Sequence, residues 1–298
     1  MNVIERIQDW LASYKTKDVA LVLSGGGARG YAHIGAIDCL HDRGYRITSI
    51  AGTSMGALVG GLFAAGKLQE TKDKILKTNK KEVLSLIDIS LGLDHVASGD
   101  RLMTLLDGLI GDVMIEDLPI PFCCCASDVV SGREKVFEEG LLKHAIRASI
   151  SIPCFFKPVS DGDHIYVDGS VHNTLPLDRV RRQRGDLLVA VNVSAPDNQP
   201  FSTYLQPHRA QTETEDSILR KLPFLKFQFS ENYMTMALRV ARLSVQNNTQ
   251  MAIRLTPPDI CANVPMNQFS LFDFDKGCEI IQYGYDEMSR QLDAYERR

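Results

Sequence analysis

Continuous apolar runs alternate with helically spaced apolar positions through the first two thirds of the chain. Residues 19–23 form an uninterrupted apolar run, which is typical of a strand buried on both faces of a parallel sheet. Further strands are predicted at residues 47–51, 121–127, 165–167 and 187–193. Helical spacing predicts helices at residues 31–43, 55–65, 140–149 and 177–184. This alternation predicts an α/β fold with a mostly parallel central sheet covered on both faces.

The pattern changes after residue 194. Residues 195–217 are polar, contain three prolines and read as a long loop. Helical spacing returns at residues 233–245, a strand is predicted at 251–255, and a closing helix at 280–295. We therefore divide the chain into an N-terminal helix (1–16), an α/β core (17–195), and a C-terminal loop and α/β extension packed on the core (196–298).

The first residues carry apolar positions at helical spacing rather than a continuous apolar core. They predict an amphipathic helix packed on the domain, with membrane-surface or dimer contact as the alternatives. A secretory signal is not expected, because charged residues interrupt this segment. The longest apolar stretch in the body, residues 57–65, is much shorter than the roughly 20 residues that cross a bilayer. We expect a cytoplasmic protein, with peripheral contact at the inner membrane surface left open, as is the oligomeric state.

Composition narrows the function classes. The 298 residues are 44% hydrophobic and 23% charged, as in soluble globular proteins. The net charge of −4 gives no reason to expect a nucleic-acid partner. Seven cysteines without paired spacing argue against a disulfide framework or a zinc site. We expect neither a metal nor a cofactor.

Residues 25–30 read GGGARG between a predicted strand and a predicted helix. They satisfy G-x-G-x-x-G, the dinucleotide-binding fingerprint. A dinucleotide fold also needs an acidic residue at the end of the next strand, and residues 47–51 are followed by Gly52, Thr53 and Ser54. The lysine of a P-loop is missing as well. Nucleotide binding is therefore disfavoured.

Residues 52–56 read GTSMG, a nucleophile-elbow pattern placed between a strand and a helix. Gly52 and Gly56 would permit the sharp turn that presents the Ser54 hydroxyl to a cleft. Backbone N–H groups of the glycine turn could then bind the oxyanion formed in acyl transfer, and the candidates are Gly25, Gly26 and Gly27. Either glycine motif alone could be a simple chain reversal. Their occurrence at two strand ends favours one shared site.

A serine nucleophile needs a base that takes its proton. Asp168 follows the apolar run 165–167 and precedes Gly169, so it lies at the end of a predicted strand. His33 falls within a predicted helix and is expected to be packed. His172 lies four residues beyond Asp168 and remains an alternative base.

The three motifs, in this order, resemble those of the bacterial patatin-like phospholipase family, whose signature combines G-G-G-x-R/K-G, G-x-S-x-G and D-G-G/A. The resemblance runs from about residue 19 to 193 and includes ASISIP at 148–153. It implies a patatin-like three-layer α/β/α sandwich and a Ser–Asp dyad without histidine, with Ser54 as nucleophile and Asp168 as general base. Supporting motif positions would be Arg29, Gly30, Gly52, Gly56 and Gly169. Ser170 departs from the family's usual Gly or Ala.

The resemblance implies hydrolysis of lipid acyl esters, of the phospholipase A or lysophospholipase type. Two alternatives stay open: an acyltransferase on the same fold, and a non-catalytic regulatory or interaction protein. The basic positions between residues 179 and 184 are expected to form a solvated helix face, with anionic lipid as the alternative contact. The apolar segment 222–229 is expected to pack on the core, with a lipid-facing surface as the alternative.

Overall fold

The structure is a computed structural model that describes residues 17–77, 99–153, 155–198 and 231–298. The predicted N-terminal helix, most of the loop after residue 195 and the apolar segment 222–229 lie outside the described residues. Within the described part, eight strands form one sheet: β1 (Asp18–Leu23), β2 (Arg46–Thr53), β3 (Phe122–Asp128), β4 (Arg133–Phe137), β5 (Val159–Asp161), β6 (His164–Asp168), β7 (Leu187–Ala195) and β8 (Ile260–Pro265).

The sheet is mixed, with four parallel and three antiparallel strand pairs. Strands β3, β2, β1, β7 and β8 lie side by side in that order, and each adjacent pair is parallel. Strands β4 and β6 pair antiparallel with β3, and β5 pairs antiparallel with β6. The prediction of an α/β fold with a mostly parallel central sheet is confirmed. The described part of the C-terminal extension contributes β8, which pairs with β7.

Strands β2 and β6 occupy the same edge of β3, end to end. Strand β4 pairs with residues 124–128 of β3, so it takes one edge. Strand β2 pairs with residues 122–125 and β6 with residues 126–128 on the other edge. Thr53 lies opposite Cys125, and Asp168 lies opposite the next residue, Ala126. The last residues of two strands that run in opposite directions therefore meet.

Helices cover both faces of this sheet. The described helices are α1 (Tyr31–Asp42), α2 (Met55–Ala64), α3 (Leu68–Lys77), α4 (Asp100–Ile110), α5 (Leu142–Ser149), α6 (Glu231–Leu255) and α7 (Gly277–Glu296). The larger apolar core joins one sheet face to α1, α2, α5 and α7. A smaller core on the other face is covered by residues of α6 and by Leu175, Leu177 and Val180.

Three sequence predictions differ from the structure. Residues 177–184 were predicted to be a helix, but they form turns and irregular backbone, so the basic positions there do not lie on a helix face. The strand predicted at 251–255 is wrong, because these residues complete α6. Strands β4, β5 and β8 were not predicted. In β8 the buried positions alternate, which is the signal that could have revealed it.

Among the helices of the described residues, none combines the length and apolar character needed to cross a membrane.

Candidate active site

Ser54 occupies the turn between β2 and α2. Its backbone has φ 55° and ψ −121°, and among the described residues it is the only non-glycine residue with positive φ. Such a conformation costs about 1–3 kcal/mol and is found mainly at functional sites. The turn is tight, because a Cβ on Gly56 would overlap the carbonyl oxygen of Leu23, and one on Gly52 would overlap the backbone of Gly56. Both glycines are therefore required by close backbone packing.

Asp168 ends β6 and its carboxylate contacts the serine directly. The Ser54 hydroxyl donates a hydrogen bond of 2.6 Å to Asp168 Oδ2. The other carboxylate oxygen, Oδ1, accepts the Ser170 N–H at 2.8 Å. Gly169 lets this turn lie against β3, since a Cβ there would overlap the carbonyl oxygen of Cys125. The fold brings together two residues that are 114 positions apart in the chain.

Burial sets the electrostatics of this pair. Asp168 is 4% exposed and Ser54 is 3% exposed. Burial raises the pKa of the Asp168 carboxyl above its ordinary value, and hydrogen bonds from Ser54 and Ser170 oppose that rise. A carboxylate that binds protons more tightly is a better acceptor for a serine proton. The environment therefore favours a general-base role for this carboxylate.

The glycine turn 25–27 follows β1 and lies beside the serine. A Cβ on Gly25 would come within 3.2 Å of Ser54 Cβ. The N–H of Gly25 donates to the carbonyl of Thr174 at 3.0 Å, so in this conformation it is not available to bind an oxyanion. Gly27 has φ 57°, which favours glycine. For the N–H groups of Gly26 and Gly27, the described residues show no backbone acceptor.

Arg29 and Gly30 act on the shape of this turn. Arg29 is 3% exposed, and its Nε donates to the carbonyl of Val193 at 2.8 Å. Its Nη1 donates to the carbonyl of Phe269 at 3.1 Å. A side chain on Gly30 would collide with Met55. Arg29 thus joins the glycine turn to β7 and to the segment after β8.

The two candidate histidines lie away from the dyad contacts. His172 is exposed, and its Nε2 lies 3.2 Å from the carbonyl oxygen of Gly132. His33 is fully buried and its Nε2 donates to the carbonyl of Ser24 at 2.8 Å. Burial lowers the pKa of His33 to about 4, so it is neutral at physiological pH. Among the described contacts, neither histidine touches Ser54 or Asp168.

Ser149, the last residue of α5, was not assigned a role from sequence. Its hydroxyl accepts the N–H of Ser54 at 2.8 Å and donates to the carbonyl of Cys125 at 2.6 Å. The sequence signal was its place in ASISIP, a stretch that carried the family resemblance without a mechanism. Within the described ranges, three or more His, Cys, Asp or Glu side chains nowhere cluster as metal ligands would. The absence of a metal and of a cofactor remains a prediction.

A buried serine at a strand-to-helix turn, hydrogen-bonded to a carboxylate, is an arrangement typical of α/β acyl hydrolases. The family model for patatin-like phospholipases matches residues 21–181. This is more than half of the chain, and the chain belongs to the patatin-like phospholipase family. Its members are lipid acyl hydrolases, so the resemblance seen in the sequence is confirmed.

Individual relatives agree with this assignment. An uncharacterized NTE family protein of Mycobacterium tuberculosis is 39% identical over 182 residues, which are 61% of this chain and 51% of the relative. Human patatin-like phospholipase domain-containing protein 6 is 26% identical over 286 residues, covering 90% of this chain and 20% of the human protein. The chain thus spans about half the length of the mycobacterial relative.

The crystal structure of VipD from Legionella pneumophila is similar over 94% of this chain and 67% of VipD, with a TM-score of 0.49 and 14% identity.

Proposed function

We propose that the protein hydrolyses lipid acyl esters, of the phospholipase A or lysophospholipase type, with Ser54 as nucleophile and Asp168 as general base. The observation that carries this proposal is the 2.6 Å hydrogen bond from Ser54 Oγ to Asp168 Oδ2. It joins a serine in a strained turn to a buried carboxylate of raised pKa. These are the features that a serine needs in order to act as a nucleophile.

The reaction follows from this geometry. Asp168 takes the hydroxyl proton as Ser54 Oγ bonds to the ester carbonyl carbon, giving a tetrahedral oxyanion. Asp168 then gives the proton to the departing alkoxide as the ester C–O bond breaks, which leaves an acyl group on Ser54. Water then attacks the acyl-enzyme, and Asp168 takes a proton from the water. The bond between the acyl group and Ser54 Oγ breaks, Asp168 returns the proton to Ser54, and the fatty acid leaves. One residue therefore serves as base and acid in both halves.

Two backbone donors are assigned to the oxyanion. The N–H groups of Gly26 and Gly27 lie in the turn after β1 and have no backbone acceptor among the described residues. Gly25 contributes space next to Ser54, since its own N–H bonds Thr174. Fixed donors of this kind stabilise charge that develops in the transition state. The N-terminus of α2 behind Ser54 adds a favourable dipole.

A fluorophosphonate probe tests the proposal. The probe forms a bond from phosphorus to an activated serine oxygen and releases fluoride, and peptide mass spectrometry identifies the modified residue. We expect labelling at Ser54 in the wild type and none in Ser54→Ala. A folded wild type that is not labelled would favour the non-catalytic alternative. Product analysis on a panel of phospholipids and lysophospholipids then separates release of free fatty acid from acyl transfer to another acceptor.

Peripheral membrane contact is part of the same proposal. Large apolar side chains are exposed next to the Asp168 turn: Val171 is 58% exposed, and Val129 and Val130 at the β3–β4 connection are 55% and 59% exposed. The two segments are adjacent, because His172 contacts the carbonyl of Gly132. Apolar side chains around a lipid-cleaving site are suited to insertion among lipid head groups.

Flotation with phosphatidylcholine vesicles tests this contact in a Ser54→Ala background, where the lipid stays intact. We expect Val130→Asp to weaken vesicle binding. Leu141→Asp is the matched control, because Leu141 is 37% exposed and pairs with Met114 at the start of α5, away from the β3–β4 connection. Equal binding by both variants would remove the membrane contact from the proposal.

A further inference from the structure

The hydroxyl of Ser149 has only one way to be oriented. It carries a single proton, and that proton is donated to the carbonyl oxygen of Cys125 at 2.6 Å. A lone pair therefore faces the N–H of Ser54, 2.8 Å away. Ser149 is completely buried, so water does not compete for either bond. The backbone N–H of Ser54 is occupied by this side chain while its hydroxyl contacts Asp168.

Ser151, two residues after Ser149, contacts the backbone of Asp168. The N–H of Asp168 donates to the carbonyl of Ser151 at 2.9 Å. The Ser151 hydroxyl, also fully buried, accepts from Arg147 Nη1 at 2.6 Å and donates to the carbonyl of Arg147 at 2.8 Å. Arg147 Nη2 donates further to the carbonyl of Lys157 at 2.8 Å. Residues 149–151 thus contact the backbone of both Ser54 and Asp168.

We infer that Ser149 is a positioning residue for the nucleophile: its hydroxyl fixes the backbone of Ser54 in the positive-φ conformation that aims Oγ at Asp168. Ser54 is the sole non-glycine residue of the described part in this conformation, so relaxation is available as soon as the N–H loses its acceptor. The inference rests on the proposed function of Ser54 and Asp168. By this inference, residues 149–151 position both Ser54 and Asp168.

A second consequence concerns the oxyanion. One N–H makes one strong hydrogen bond, and that of Ser54 is directed to Ser149. The nucleophile's own N–H is therefore not an oxyanion donor, and stabilisation of the developing charge falls to the glycine turn.

Ser149→Ala is the test, and Ser127→Ala is its matched control. Ser127 is an equally buried serine on β3, and its hydroxyl makes no hydrogen bond within the described structure. We measure the rate constant for fluorophosphonate labelling of Ser54, kcat and KM on a short-chain ester, and the thermal midpoint. Ser149→Ala should label and turn over about tenfold to a hundredfold more slowly, because small errors in nucleophile placement have effects of this size. Its KM should stay within about threefold of wild type, since binding does not involve Ser149.

The outcomes separate the two proposals. If wild type and Ser127→Ala label at Ser54 and folded Ser149→Ala labels equally fast, the positioning role is overturned and the proposed function stands. If wild type does not label at all, the proposed function itself fails. If Ser149→Ala does not fold, Ser149→Cys replaces it, because a thiol of similar size is a weaker acceptor. Wild-type labelling by Ser149→Cys would also overturn the inference.

Discussion

Replacing Asp168 by asparagine changes one atom of the buried pair and reverses the direction of its hydrogen bond. Oδ1 accepts the N–H of Ser170 at 2.8 Å, so the carbonyl oxygen of an asparagine must face that donor. Its NH₂ group then replaces Oδ2, which accepts the Ser54 hydroxyl at 2.6 Å in the wild type. Ser54 would accept a hydrogen bond where it now donates one, and no proton acceptor would remain.

Loss of a general base lowers turnover by about 10²–10⁴. At about 1.4 kcal/mol for each factor of ten, the barrier rises by about 3–5.5 kcal/mol. Ser54→Ala should abolish covalent labelling completely. Because both residues serve the same step, the double variant should be no slower than Ser54→Ala alone.

Although Asp168→Asn should lose turnover, its thermal stability should not fall. Burial raises the pKa of Asp168 above its ordinary 3.8, so the folded protein binds this proton more tightly than the unfolded chain. The unfolding free energy therefore falls as pH rises from about 3.8 through the raised value, and it stays reduced at higher pH. Asparagine carries no charge and avoids this penalty. At pH 8 we expect the thermal midpoint of Asp168→Asn to equal or exceed that of the wild type.

The assay combines ester turnover with thermal unfolding at pH 5 and pH 8. The wild type should also lose activity as pH falls through the raised pKa of Asp168, because a protonated carboxyl cannot accept the serine proton. Near-normal turnover in folded Asp168→Asn would refute the base assignment. A clear loss of stability at pH 8 would show that the carboxylate is held mainly for structural reasons.

Four further outcomes are expected. A chelator should leave esterase activity unchanged, and loss restored by a divalent ion would contradict a dyad that acts alone. His172→Ala should keep activity within about tenfold, whereas a collapse of kcat would introduce a third catalytic group. Arg29→Met should lower the unfolding free energy by about 2–4 kcal/mol in denaturant titration, because the carbonyl of Val193 loses a charged donor; an unchanged midpoint would argue against this. Gly56→Ala should fail to fold or lose labelling, since its methyl group overlaps the carbonyl of Leu23, and an active variant would contradict the close approach.

The sequence predicted the turns better than the path of the chain between them. The strand before Ser54 and the apolar run before Asp168 were found, because glycine-rich turns after buried strands have a clear signature. The direction of β6 was not predictable, since an apolar run reads the same for a parallel and an antiparallel strand. Asp168 reaches the site from the opposite direction, which the sequence pattern did not indicate.

The errors in secondary structure also have physical causes. Residues 177–184 combine apolar and basic positions as an amphipathic helix does, but Leu177 and Val180 contact the sheet from irregular backbone. Apolar side chains alternate over residues 251–255 as they do in a strand. Five residues are too few to distinguish a strand from the last turns of a 25-residue helix. The hydroxyl of Ser149 could not be assigned, because its partners Ser54 and Cys125 are contacted only once the sheet has formed.

The end-to-end arrangement of β2 and β6 has a consequence for how this chain tolerates change. The spacing between nucleophile and base is set by two successive residues of β3, Cys125 and Ala126, which pair with Thr53 and Asp168. Within the described connections, residues 149–151 also contact the backbone of Ser54 and Asp168, so they share in fixing that spacing. Insertions or deletions elsewhere in the described connections can therefore accumulate while the dyad stays in place, whereas a single residue added between Cys125 and Ala126 would separate the two groups by about 3.3 Å. Length variation among homologues should accordingly avoid both this strand and residues 149–151, and concentrate in the remaining segments that join the strands.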